Sequence, residues 1–223
     1  MLNMNYKRVT LICGHYGSGK TNVALNMALD LRKQCDNVAI ADLDIVNPYF
    51  RTKDSAALLE QSGIRLICSE YAGTNIDIPA LPQQMYSVTD DRSQKVILDI
   101  GGDDRGALAL GRLAPGILAE NNYEMLMVIN CYRPLTQDAS STVEVMREIE
   151  YAGGIPFTGL INNSNLGEET VPETVLDSLQ YAKEVSELSG LPLVFTSAEQ
   201  SIYEQLNGGL EGLFPLRLQP KIS

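Results

Sequence analysis

Residues 14–21 read Gly-His-Tyr-Gly-Ser-Gly-Lys-Thr, between an apolar run, "RVTLIC" (8–13), and a helix-patterned stretch, 20–33. They satisfy G-x-x-x-x-G-K-[ST] in the setting that motif needs, a strand before and a helix after. The physical demand is strict. Consecutive backbone N–H groups must turn inward around phosphate oxygens, so glycine is needed where φ is positive or the ligand presses close. The helix that follows aims its positive end at the anion. Lys20 would bridge the terminal phosphates, and the Thr21 hydroxyl would ligate Mg²⁺. The competing reading is an accidental glycine-rich turn, and the flanking strand and helix weigh against it. The residues expected to hold a polyphosphate are Gly14, His15, Tyr16, Gly17, Ser18, Gly19, Lys20, Thr21 and Asn22.

A turn of this kind belongs in an α/β sheet, and the rest of the chain agrees. Short apolar runs recur at 8–13, 37–42, 64–69, 95–100, 123–130, 157–162 and 191–197. They are rich in Val, Ile and Leu with little polar alternation, as strands covered on both faces are. Helical patterns lie between them. Ala24, Met27, Ala28 and Leu31 mark one buried stripe, as do Val175, Leu179 and Ala182, with Pro172 before and Gly190 after. Segments 105–120 and 138–151 are further helix candidates. This alternation predicts a three-layer, doubly wound, mostly parallel sheet of about seven strands, with right-handed crossovers. One domain over 1–223 is the expectation. Segment 70–94, with Pro79 and Pro82, is the least regular and is read as a short helix plus a mobile connection.

The formal net charge of −11 argues against a nucleic-acid partner, which needs concentrated Lys and Arg. The four cysteines, Cys13, Cys35, Cys68 and Cys131, are dispersed with no C-x-x-C pair. Together with the lack of a signal-peptide pattern, they point to a reducing, cytoplasmic setting. No apolar run approaches the roughly 18 residues that span a bilayer, so no membrane is expected.

Acids follow two of the strands. "ADLDIVNPYFR" places Asp42 and Asp44 two residues apart, a spacing that puts both carboxylates on one side of an extended strand end. "VILDIGGDDRGA" ends an apolar run on Asp99, a candidate for the shell of Mg²⁺. Gly101 and Gly102 then let the backbone pass close to a γ-phosphate and move when it leaves. A helix cap or turn is the alternative role for each aspartate. Three acids at strand ends of one sheet favour a site, because ligands collect at the carboxyl ends of such strands.

The phosphate loop, "DLD" after the second strand and "LDIGG" after the fourth resemble the MinD/ParA/ArsA group of deviant-Walker ATPases, whose wider kin include CooC-type nickel-insertion ATPases and the CobQ/CobB/MinD/ParA nucleotide-binding domain. The resemblance implies ATP and Mg²⁺ as cofactors, with Lys20 and Thr21 on phosphate and metal. It implies Asp44 as the residue that positions the attacking water, Asp42 in the metal's outer shell and Asp99 as the Walker B acid. It also implies that Asn162, in "LINNSN", reads the adenine, an ordinary turn residue being the equal alternative. The loop departs from the group's K-G-G-x-G-K-T. His15 stands where the group has a lysine that reaches a partner's nucleotide across a dimer, and Tyr16 replaces a glycine. Histidine is shorter and only partly charged near neutrality. Either the trans contact is absent, or Arg105 or Arg133 supplies the cation, or turnover is slow. A loop side chain packed at the surface is the plainer role for His15.

Other stretches carry weaker signals. "NPYFR" (47–51) offers Tyr49, Phe50 and Arg51 to a partner or to the core. "DDRGALALGR" (103–112) is a candidate switch helix. The C-terminal "EGLFPLRLQPKIS", broken by Pro215 and Pro220, is a poor membrane-binding helix. The leading expectation is a Mg²⁺-dependent ATPase, cycling between ATP and ADP, that acts as a switch for a protein or metal-site client, with a homodimer as one arrangement. The alternatives are an ATP-dependent ligase or synthetase of the dethiobiotin or cobyrinate type and a nucleotide sensor that does not hydrolyse. The acidic "DLDIVNP" opposes an anionic substrate. Guanine in place of adenine stays open, since no N-K-x-D occurs.

Overall fold

The computed structural model describes residues 4–44, 56–68, 83–102, 104–206 and 208–218, without the side chains of 104, 105 and 107. Its strands are β1 (Val9–Cys13), β2 (Val38–Asp42), β3 (Arg65–Ile67), β4 (Lys95–Asp99), β5 (Tyr123–Ile129), β6 (Gly159–Asn162), β7 (Leu193–Glu199) and β8 (Leu213–Leu216). They form one sheet in the order β3-β2-β4-β1-β5-β6-β7-β8, parallel throughout. Each of the seven expected runs contains a strand. The count of about seven is corrected by β8, which lies in the C-terminal stretch and includes Pro215. Proline has no N–H to give to a ladder, which bars it from a central strand but not from the outermost one, where β8 lies.

The helices are α1 (Lys20–Arg32), α2 (Ala56–Gln61), α3 (Ser87–Asp90), α4 (Asp104–Glu120), α5 (Ala139–Gly153), α6 (Pro172–Ser189) and α7 (Gln200–Leu206). Their ends follow local chemistry. The Asp138 carboxylate accepts the Ser141 N–H to cap α5, and α6 opens on Pro172 and stops at Gly190, whose φ is 73°. Of segment 70–94, residues 83–90 form a 3-10 turn running into α3, while 69–82, with the expected mobile connection, lie outside the described residues. So do Tyr49, Phe50 and Arg51.

The three expected layers are present. On one face of the sheet, Val23, Ala24, Met27, Ala28 and Leu31 of α1 pack with Ile12, Ile40, Ile97 and Val128. On the other, Leu110, Leu113 and Ile117 of α4, Val143 and Met146 of α5, and Tyr181, Ala182 and Val185 of α6 cover Leu11, Leu98, Met127 and Ile129. Strand residues bury alternately on the two faces, which explains why the runs lack polar alternation. No helix among the described residues is long and apolar enough to cross a membrane.

Topology positions the site. From β1 the chain moves out to β2 and β3, returns with β4 beside β1, and then crosses to β5 on the other side. The connections at the ends of β1, β4 and β5 part there, and the crevice they leave is where doubly wound sheets bind ligands. At the opposite edge, Arg8 at the foot of β1 makes a buried ion pair with Glu120, the last residue of α4. Its guanidinium also donates to the carbonyls of Val88 (3.0 Å), Asp91 and Gln94 (both 3.3 Å).

Candidate functional site

The turn between β1 and α1 has the backbone a cradle requires. Gly14, Gly17 and Gly19 have φ of 149°, 76° and 90°. Gly19 is the N-cap of α1 with no side-chain cap and no acid in the first turn, so the helix presents its first N–H groups unopposed. The fit at Gly19 is close as well as left-handed. A Cβ there would come within 2.3 Å of the Asn163 Nδ2.

Lys20, the first residue of α1, is buried, and its Nζ donates to the His15 carbonyl at 3.2 Å. Thr21 and Asn22 follow in the first turn, both half-buried. The Ser18 hydroxyl is buried with no hydrogen-bond partner among the described residues. A buried ammonium that donates to one carbonyl among the described residues has donor capacity for an anion. Cys13, at the root of the loop, is the contrary case. Burial pushes its thiol up to about 11, although Lys20 nearby pulls the other way.

The candidate metal acids come together by register. Asp42 of β2 pairs with Asp99 of β4, and Asp99 aligns with Ile12 of β1. Ile40 and Ile97, two residues earlier, pack with α1. Asp42 and Asp99, both buried, therefore stand on the same face, at the sheet edge from which α1 starts. Asp44 is half-buried, and its N–H donates to Asp42 Oδ1 at 2.9 Å, an Asx turn. No group of three carboxylate, imidazole or thiol side chains that could cage a metal occurs among the described residues. That donor set still suits Mg²⁺, which keeps several waters and takes phosphate oxygens with one or two carboxylates.

The β4–α4 turn touches the cradle itself. A Cβ at Gly102 would lie 2.7 Å from Lys20 Nζ, 2.8 Å from the Tyr16 nitrogen and 3.0 Å from the Gly14 carbonyl. Only glycine fits there, and the turn sits against the lysine that a terminal phosphate would occupy.

His15 and Tyr16 follow Gly14 in the loop. The His15 Nδ1 lies 3.0 Å from the Tyr16 carbonyl, which as an acceptor sets Nδ1 as the protonated ring nitrogen. The Tyr16 ring is 63% exposed. Of the two arginines considered as cation donors, the Arg105 side chain lies outside the described residues. Arg133, in the connection after β5, donates from Nε to the Gly17 carbonyl at 2.8 Å.

Asn162, expected to read a base, is fully buried. Its Nδ2 donates to Ser178 Oγ of α6 at 2.8 Å, and its Oδ1 accepts the Ser164 N–H at 3.2 Å. Its neighbour Asn163 instead reaches the loop, donating to the Ser18 carbonyl at 2.6 Å and accepting from Ser197 Oγ at 2.7 Å. Sequence reasoning missed Asn163, Ser197 and the closeness of Gly102 to Lys20. The signal for Asn163 was strand parity, since adjacent residues leave a strand on opposite faces.

No protein-family model matches the chain, and no curated protein matches it in sequence. Solved structures share its fold. Cell division protein FtsY of Thermotoga maritima aligns with a TM-score of 0.57 and 17% identity, over 88% of this chain and 63% of that one. The signal recognition particle 54 kDa protein of Aeropyrum pernix, in complex with GDP, gives 0.55 and 18%, over 88% and 42%. The signal recognition particle receptor FtsY of Elizabethkingia anophelis, also with GDP, gives 0.52 and 15%, over 88% and 58%. The chain thus spans 42% to 63% of the length of these proteins. At such identities the likeness is one of fold. The fold is that of the phosphate-loop nucleoside triphosphatases, a parallel sheet between helical layers with the loop at the end of a central strand. The likeness shows that fold alone, and the resemblance to the MinD/ParA group rests on the sequence motifs.

Proposed function

We propose that this chain is a Mg²⁺-dependent nucleotide switch that binds ATP on residues 14–22, hydrolyses it slowly and reports the bound state to a protein client. The observation that carries this reading is the packing of Gly102 against Lys20. A terminal phosphate drawn to Lys20 takes Nζ from the His15 carbonyl and displaces the 101–102 turn, which runs directly into α4. Nucleotide state thereby becomes a movement of a helix end, the kind of transition a partner can read.

Within the reading, Lys20 and the N–H groups at the start of α1 bind and orient the phosphates. Asp44 orients water for in-line attack on the γ-phosphorus, breaking its bond to the bridging oxygen and releasing ADP and phosphate. Mg²⁺, held by the Thr21 hydroxyl with Asp99 and Asp42 in support, would offset charge on the phosphates. His15 in place of a permanent cation supports slow turnover. The dispersed cysteines support a cytoplasmic setting. A guanine nucleotide is the second reading, favoured by the GDP in two of the structural neighbours.

Titration of the protein with ATP and GTP in Mg²⁺, with phosphate release followed in the same samples, tests this. Binding that weakens at least tenfold in Lys20→Ala, slow release and faster release with a client are expected. Turnover that depends on a small carboxylate would instead identify a synthetase, and binding without release a sensor. Failure of the wild type to bind either nucleotide would overturn the assignment. Light scattering with and without nucleotide reads whether two copies assemble.

A further inference from the structure

Two successive carbonyls of the loop, those of Gly17 and Ser18, are each held by a side chain from a different strand end. Arg133, after β5, takes Gly17 at 2.8 Å, and Asn163, after β6, takes Ser18 at 2.6 Å. Both contacts span more than a hundred residues of sequence. The Asn163 amide has no freedom to flip. Ser18 offers only an acceptor, so Nδ2 faces it, while Oδ1 accepts the Ser197 hydroxyl of β7 at 2.7 Å. Asn163 and Ser197 are both nearly inaccessible, at 4% and 2% exposure.

A trans peptide unit is planar, and its C=O and N–H point in opposite directions. Fixing the Ser18 carbonyl on Asn163 therefore turns the Gly19 N–H away from Asn163. Fixing the Gly17 carbonyl on Arg133 orients the Ser18 N–H, which closes the turn on the His15 carbonyl at 3.2 Å. We propose that Arg133 and Asn163 are positioning residues, a two-point brace that closes the Ser18–His15 turn and sets the direction of the Gly19 N–H before any ligand arrives. The proposal rests on reading residues 14–22 as a phosphate cradle. Pre-ordering of this kind raises affinity by removing the cost of arranging the loop on binding. It acts on phosphate and is indifferent to the base.

The test compares wild type with Arg133→Gln, Arg133→Lys, Asn163→Ala and the double variant Arg133→Gln/Asn163→Ala. In ligand-free protein, hydrogen exchange of the peptide covering residues 14–22 should speed up in Arg133→Gln and Asn163→Ala and recover in Arg133→Lys, with exchange in β5 and β6 unchanged. Calorimetry with ATP, GTP and inorganic tripolyphosphate, each with Mg²⁺, should show each single loss weakening every ligand the wild type binds by one factor, about tenfold for the buried Asn163 bond and less for the exposed Arg133 bond. The double variant should lose less than the product of the two, since both residues order one short segment. Unchanged exchange at 14–22 in both single variants overturns the brace. So does a loss at Asn163→Ala confined to nucleosides and absent with tripolyphosphate, which would make the amide a base contact. If the wild type binds no phosphate ligand, the exchange result alone decides the brace, and the functional reading fails separately.

Discussion

At the foot of the sheet, Arg8 sits buried with its guanidinium engaged by Glu120 and three backbone carbonyls. At the opposite edge, Lys20 is also buried, yet among the described residues it rests on a single carbonyl, and the Ser18 hydroxyl, two residues earlier in the loop, has no partner there. Both edges bury a permanent cation, and the difference lies in what completes its shell. The protein completes the first, which locks β1, α4 and the start of β4 together. Among the described residues the second has one carbonyl, with the Gly102 turn packed against it; under the proposed function an anion completes that shell and moves the turn. The contrast separates stability from function by location: α4 is pinned at its last residue and begins at the site.

The largest effect that could break this contrast is at Arg8. Replacing Arg8 by Ala strands the Glu120 carboxylate and three carbonyls, and should cost about 3–5 kcal/mol in denaturant unfolding. ATP affinity of the protein that stays folded should be near that of the wild type. Lys20→Ala should do the reverse. The lost charged contacts, about 1.5–3 kcal/mol, amount to at least tenfold weaker ATP binding, with the urea midpoint little changed. Equal losses of both properties in either variant would dissolve the distinction.

Gly102→Ala sharpens the comparison at the moving part. Its Cβ meets Lys20 Nζ and the Tyr16 nitrogen, so the ligand-free form should lose about 1–3 kcal/mol by overpacking. With ATP displacing the turn, part of that strain disappears, and the gap between melting temperatures with and without ATP should widen. An unchanged gap would show that the turn does not move.

The smallest effect concerns Cys13, where the dry core meets the loop. Its thiol is raised from 9.0 to about 11 in the fold, so the protonated form is the one folding favours. Its stabilising contribution is whole below pH 9 and lost as pH rises from 9 to about 11, on the order of 3 kcal/mol at most. Cys13→Ala should flatten that part of the stability–pH curve. A thiol that reacts rapidly with alkylating reagents at pH 8 in native protein would contradict its burial.

Local chemistry was legible in the residues themselves. The strand before "GHYGSGKT", the helix after it, the Pro172 start and the Gly190 stop of α6 all follow from periodicity and backbone preference. The pairing of Asp42 and Asp99 across β2 and β4 was decided by register, while each was legible as a strand-end acid of one sheet. β8 was not, because Pro215 reads as a breaker unless its strand is known to be outermost. The role of Asn163 was not read from the sequence, although strand parity puts it on the opposite face from Asn162. Asn162 went to Ser178 of α6, and Asn163 to the loop.

By itself the sequence determined that a glycine turn joins a buried strand to a helix, and that the strands lie parallel between helical layers. These rest on φ, ψ and burial preferences that act within a few residues. Only the tertiary structure decided that Gly102 leans on Lys20, that Arg133 and Asn163 hold the loop from behind, and that Arg8 closes the far edge. Those contacts join segments many residues apart, and their partners are chosen by strand order and register, which no local preference encodes.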